Sequence, residues 1–238
     1  STDGDKPIDN AVFYTRLGQR IVHILNTQTP SGQLYEVDMR LRPSGNSGLL
    51  VSTLKAFEKY QRNDAWTWEH QALARARGVA GCVPTLEAVE RLRHDILCQH
   101  RDPDRLRTEV VDMREKMRAS LGTPESKQSE VFHIKHDAGG LVDIEFLVQY
   151  LMLAHSEAHP ELTQWSDNIR QMEELGRAGV MPVEDAEKLR ETFITLRSTI
   201  HRRALQNLNS RVTGDAFPDE REYVQRMWQR VMLDDAND

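Results

Sequence analysis

The stretch Gly139-Gly-Leu-Val-Asp-Ile-Glu-Phe-Leu-Val-Gln-Tyr-Leu-Met-Leu153 constrains this chain most. A helix of that composition is apolar nearly all round, so it has no face to give to water and must lie at the centre of other helices. Gly139-Gly140 supplies the tight turn into it. Asp143 and Glu145 sit in its first turns, where the helix dipole favours carboxylates. Two residues apart on a helix, they diverge by roughly 200°, which excludes a paired catalytic dyad. Lys135, His136 and Asp137 lie just before the turn and are expected to pair with them, as a capping and ion-pair network or a regulatory one.

Helical spacing fills most of the remaining chain. Stripes are read over 11–26, from 53 through Tyr60, over 64–78, over 85–99 with Thr85 as cap, and from Pro103 through Met117. Others run over 167–177, closed by Gly179, from Pro182 to about Leu205, and from Pro218 through Val231. Trp66 and Trp68 read as core. Arg75 and Arg77 read as a solvated or salt-bridged face, or as anion ligands if an anion site lies beside them. Val131–Lys135 reads as a short extended piece.

One stretch departs from the helical period. In Leu34-Tyr-Glu-Val-Asp-Met-Arg-Leu-Arg-Pro-Ser-Gly45 the residues Tyr35, Val37, Met39 and Leu41 alternate with Glu36, Asp38, Arg40 and Arg42. Period two between Ser31-Gly32 and Pro43-Ser44-Gly45 predicts a strand with one apolar and one charged face. On that face Asp38 can hold a divalent cation, and Arg40 and Arg42 suit phosphate oxygens. The glycine-bearing exit loop, with Ser44 and Gly45, lets backbone N–H groups approach an anion. A plain amphipathic edge strand with solvated charges fits the same pattern.

The chain has 238 residues, a formal charge of −6 and two cysteines, Cys82 and Cys98, outside any metal-ligand spacing. The acidic balance argues against non-specific nucleic-acid binding. Cysteine usage fits a reducing cytoplasm, and no apolar run reaches membrane-spanning length. The expected fold class is α+β and predominantly α, with a joint at Val79–Pro84 that divides residues 1–83 from an all-α bundle over 84–238.

Three motifs in order resemble the bacterial glutamine synthetase adenylyltransferase family. They are Tyr35–Gly45, Ala65-Trp-Thr-Trp-Glu-His-Gln-Ala-Leu-Ala-Arg-Ala-Arg77 and Gly139-Gly-Leu-Val-Asp-Ile-Glu-Phe146. The resemblance is to the C-terminal, AMP-adding half, and the AMP-removing half carries a related pattern. It implies a polymerase-β-type nucleotidyltransferase sheet followed by a helical domain, and transfer of AMP from ATP to a tyrosine of glutamine synthetase. Mg²⁺ and control by the PII signal protein and glutamine are implied as well. In that superfamily three carboxylates hold two metal ions, and Asp38 matches the third. Arg40, Arg42, Ser44 and Gly45 would meet the nucleotide. The Gly-Ser-x-x-Asp-x-Asp strand that supplies the first two carboxylates is not found in this sequence. Asp3 and Asp5 have its spacing but not its apolar flanks. The expectation is a fragment of the enzyme, inactive alone. The other reading is a non-catalytic module that binds PII protein or glutamine synthetase.

Overall fold

A computed structural model describes residues 7–33 and 35–234; Asp3 and Asp5 lie outside the described residues. The chain divides into two compact units, residues 1–69 and 70–238.

The first unit opens with helix α1, Asn10–Asn26, started by Asp9, whose Oδ1 accepts from the Ala11 N–H at 2.8 Å. No residue of α1 is buried, and Val12, Tyr14, Leu17, Ile21 and Ile24 of its apolar stripe are exposed. A two-residue hairpin follows, β1 (Gln28–Thr29) against β2 (Gly32–Gln33), antiparallel with Gln28 opposite Gln33. Helix α2, Leu54–Asn63, is capped by Thr53 Oγ1, which accepts from the Ala56 N–H at 3.1 Å. Helix α3, Thr67–Ala74, carries the division between the units within it.

Two expectations fail in this unit. Residues 35–39 belong to no helix or strand, and the chain turns from Arg40, so Asp38 stands on no strand. Alternation provides the faces of a strand, while a strand also needs a neighbour to accept its hydrogen bonds. Among the described residues β1 and β2 pair only with each other. Likewise α3 is shorter than the expected 64–78 helix and leaves Trp66 outside it, 70% exposed rather than in a core.

The second unit is a helical bundle. Helix α4, Val83–Leu97, is capped at Cys82, three residues before the expected Thr85 cap, because Pro84 suits the first turn. Its C-terminal carbonyls are gathered by Arg101, which donates to Ile96 O and Leu97 O at 2.8 Å each. Helix α5, Pro103–Leu121, is capped by Asp102 and buries Leu106, Val110 and Arg114 on one face. Strand β3, Val131–His133, leads through the Gly139-Gly140 turn into α6, Leu141–His155. Helices α7 (Asn168–Arg177) and α8 (Val183–Leu205) follow. Strand β4, Arg211–Thr213, then pairs antiparallel with β3, and α9, Pro218–Trp228, closes the bundle.

Helix α6 is buried continuously from Leu141 to Ile144 and from Phe146 to Leu153, and it packs against α5, α7, α8 and α9. The all-round apolar helix is therefore central, as its sequence requires. Around it Phe193, Leu189 and Leu196 of α8, Met172 and Leu175 of α7 and Val224 of α9 are almost wholly enclosed. Predominantly helical architecture is observed, and the sheets among the described residues are the two short antiparallel pairs. No helix among the described residues is long and apolar enough to cross a membrane.

Candidate functional site

In the first unit, residues 38–48 fold into a closed loop. Asp38 Oδ1 accepts from the Arg40 N–H at 2.9 Å, and the Arg40 guanidinium returns to the same carboxylate, Nη2 to Oδ2 at 2.6 Å. These contacts, side chain first and backbone second, hold the Asp38 pKa down at about 2. Both side chains are largely solvent-exposed, so the pair forms an ionised surface fork.

Arg42 does not share that face. Its guanidinium turns into the loop and donates to three backbone carbonyls: Met39 O at 2.7 Å, Asn46 O at 3.2 Å and Gly48 O at 3.2 Å. An arginine has five donors in a fixed plane, and here three loop carbonyls use that plane as a template. Ser44 and Gly45 both take left-handed conformations, φ 61° and 52°. Gly48 closes against the start of the loop: a Cβ there would lie 1.8 Å from Pro43 O, so only glycine fits.

After the loop, α2 is tied to the start of α3. Tyr60 donates its hydroxyl to Glu69, 2.9 Å from Oε1, and Glu69 Oε2 accepts from the Trp66 N–H at 2.9 Å. Burial, with this carboxylate adding to it, pushes the Tyr60 pKa up, and the nearby Ser44 opposes the rise. Sequence reasoning missed Tyr60. Glu69, three residues beyond Trp66, has the spacing by which an acid reaches back to a helix start.

Asp38 with Arg40, the Arg42-clamped loop, Ser44 and Gly45 are thus one local assembly. A two-metal centre is a different matter. Among the described residues no group of three or more His, Cys, Asp or Glu side chains is arranged to hold a metal ion. Asp38 has Arg40 as its partner instead, so these residues by themselves do not fit a two-metal centre.

The second set nominated from sequence is brought together by the β3–α6 turn, but with other partners than expected. Asp143 accepts from Arg114 Nε at 2.6 Å, from Arg118 Nη2 at 3.1 Å and from the Gly139 N–H at 2.7 Å. Asp137 accepts two backbone N–H groups, of Thr123 and His133, at 2.6 Å each. Glu145, on another face of α6, takes Arg75 and Asn168, each at 3.2 Å. Lys135 is exposed. His136 sits edge-on to His133 with ring centroids 4.9 Å apart. Burial, then the neighbouring His133, pushes its pKa down to about 4. The expected pairing of Lys135 and His136 with Asp143 and Glu145 is replaced because Arg75, just after α3, and Arg114 and Arg118 on α5 reach those carboxylates with planar, multidentate donors. Sequence reasoning missed Arg114, whose i, i+4, i+8 spacing with the buried Leu106 and Val110 of α5 was the signal that could have found it.

The comparisons with known proteins bear on both units. Residues 1–91 match the family model for glutamate-ammonia ligase adenylyltransferase, and residues 111–232 match that for GlnD PII-uridylyltransferase. A bifunctional glutamine synthetase adenylyltransferase/adenylyl-removing enzyme from Hahella chejuensis is 57% identical over 236 residues, 98% of this chain and 24% of the relative. Its counterpart from Pseudomonas putida is 56% identical over 241 residues, 98% of this chain and 25% of the relative. The counterpart from Pseudomonas aeruginosa is 52% identical over 241 residues, 98% and 24%. The chain spans about a quarter of the length of these curated relatives.

Proposed function

We propose a function from this premise: the chain belongs to the glutamine synthetase adenylyltransferase family. It is the part of an adenylyltransferase that carries the last segment of a polymerase-β-type nucleotidyltransferase domain, residues 1–83, and a helical domain, residues 84–238. The longer protein acts in the cytoplasm and transfers AMP from ATP to a tyrosine hydroxyl of glutamine synthetase. The PII signal protein is a second partner. Nucleic acid and membrane are not partners.

Within that activity Asp38 is one of three carboxylates that hold Mg²⁺, the other two coming from elsewhere in the longer protein. When bound, the metal ions would stabilise the charge that develops on the transferred phosphoryl group. This chain's own residues bind and orient. Arg40 presents an exposed positive charge beside Asp38, suited to a triphosphate oxygen. Arg42 acts through the loop, fixing Ser44 and Gly45 so that their backbone meets the nucleotide in one shape. The reading is supported above all by Asp38 and Arg40, an ionised pair at the entrance of a clamped, left-handed loop, within a segment that is 57% identical to an adenylyltransferase. One carboxylate cannot hold two metals, so the 238-residue chain alone does not carry out the transfer.

A second reading rests on the helical unit. It has its own enclosed core, as a binding module for PII protein or glutamine synthetase requires. The two are separated by following labelled AMP from Mg·ATP onto glutamine synthetase, with this chain and with a longer protein that contains it. The enzyme reading expects label only with the longer protein, abolished by Asp38→Asn. Labelling by this chain alone overturns the assignment of the metal carboxylates. Absence of labelling in both, together with retention of glutamine synthetase on immobilised chain, favours the binding module.

A further inference from the structure

The helical unit contains a cleft of about 560 Å³ that takes no part in the function proposed above. Its wall is formed by α4, the turn Pro160–Gln164 and the start of α7. Arg77, Glu90, His94, Trp165, Asp167 and Arg170 line it.

The charges in this cleft are unequally committed. Glu90 Oε1 accepts from the Gly78 N–H at 2.9 Å, and Asp167 Oδ1 caps α7 by accepting from the Arg170 N–H at 3.0 Å. Arg93, in the wall, is consumed by four backbone carbonyls, of Leu73, Ala74, Thr163 and Trp165, at 2.6–3.3 Å. Two cations are left with donors to spare. Arg77 is exposed and has no hydrogen bond or ion pair among the described residues. Arg170 lies over the Trp165 ring, 4.1 Å from its centroid, and its Nε is 3.9 Å from Asp167 Oδ2. Stacking uses the face of a guanidinium and leaves its N–H edge for another partner, held flat and aimed.

His94 adds direction. Thr163 donates its one hydroxyl proton to Pro160 O at 2.9 Å, so in the 2.7 Å contact with His94 Nδ1 the imidazole is the donor. In the neutral ring the lone pair is then on Nε2, which among the described residues has only the Cys98 thiol near it, Sγ at 3.9 Å.

We propose that this cleft is a binding site for a small oxyanion, a phosphate or carboxylate group that Arg77 and Arg170 grip together. The ligand carries an O–H or N–H group that His94 Nε2 accepts. Both arginines are exposed enough for entry, and three lining arginines, Arg77, Arg93 and Arg170, against two carboxylates, Glu90 and Asp167, make the cleft locally cationic in a chain of net charge −6. The site is independent of AMP transfer and stands or falls separately from it.

The test is titration of the 238-residue chain with inorganic phosphate, with AMP and with glutarate, read by indole fluorescence and by calorimetry. The expected result is saturable binding of at least one probe. Arg77→Gln and Arg170→Gln should each weaken it about tenfold, as loss of one charge-assisted contact does, with unchanged circular dichroism. Phosphate or AMP binding without glutarate binding assigns a phosphate ligand, and the reverse assigns a carboxylate. Three results overturn the proposal: no saturation by any probe up to about 10 mM, binding unchanged in both variants, or binding lost on Arg40→Gln instead.

Discussion

Arg114 Nε and Asp143 Oδ1 meet at 2.6 Å with both side chains out of solvent, 0% and 1% exposed. A buried pair of this kind is not strong evidence of net stabilisation, because desolvating two charges offsets much of their attraction. Removing one partner is another matter. Asp143→Ala leaves the Arg114 guanidinium charged in the bundle and frees the Gly139 N–H; a loss of about 3–5 kcal/mol is expected in urea unfolding. The double change Arg114→Met with Asp143→Leu is expected to recover a large part of that loss.

The turn into α6 is equally intolerant. Gly139 has φ +80°, and a Cβ there would lie 2.7 Å from Arg221 O. Gly139→Ala is expected to cost about 1–3 kcal/mol through backbone strain alone, and more through the clash. Gly179, also at positive φ but in open space, is the control. Gly179→Ala should lose only the strain, and thermal unfolding of the two variants separates the contributions.

His136 makes stability pH-dependent. Its folded pKa is about 4, below the ordinary 6.5, so between those values the unfolded chain binds more protons than the folded one. Stability from this group is therefore complete above about pH 6.5 and falls as pH drops towards 4. His136→Gln should flatten the slope of unfolding free energy in that window, measured by urea unfolding at pH 4.5 and 7. An unchanged slope would assign the dependence to other groups, His133 first, since burial lowers its pKa too.

The two units should answer differently to the loss of apolar side chains. Leu147 of α6 is 1% exposed, whereas Ile21 of α1 is 49% exposed. Leu147→Ala is expected to cost about 2–5 kcal/mol. Ile21→Ala should stay within about 0.5 kcal/mol. Equal losses would show that α1 is covered when the chain is in solution.

Legibility in the sequence followed the range of the physics involved. Asp9 and Thr53 each cap a helix through N–H groups within three residues, and such signals are local. The central place of α6 was legible because an apolar surface on every side admits one environment. The strand expected around Asp38 was not settled by alternation, since pairing depends on a neighbour that spacing does not specify. The partners of Asp143 were missed for a related reason. Arg114 is 29 positions away and became its ion partner only through the packing of α5 on α6. In the candidate loop, Asp38, Arg40, Ser44 and Gly45 fell together as their closeness in sequence requires. The inward turn of Arg42 arises from loop closure, which no periodicity records.

The β3–β4 ribbon joins Val131 to Thr213 and His133 to Arg211, with α6, α7 and α8 strung between the two strands. Closing so long a loop is entropically costly until those helices have drawn its ends together. Refolding of the bundle should thus proceed from the helical contacts outward, and the ribbon is its last clasp. Amide exchange would then be fastest to open at Phe132 and Val212 and slowest along α6, a gradient of protection that runs from the seam of the chain to its axis.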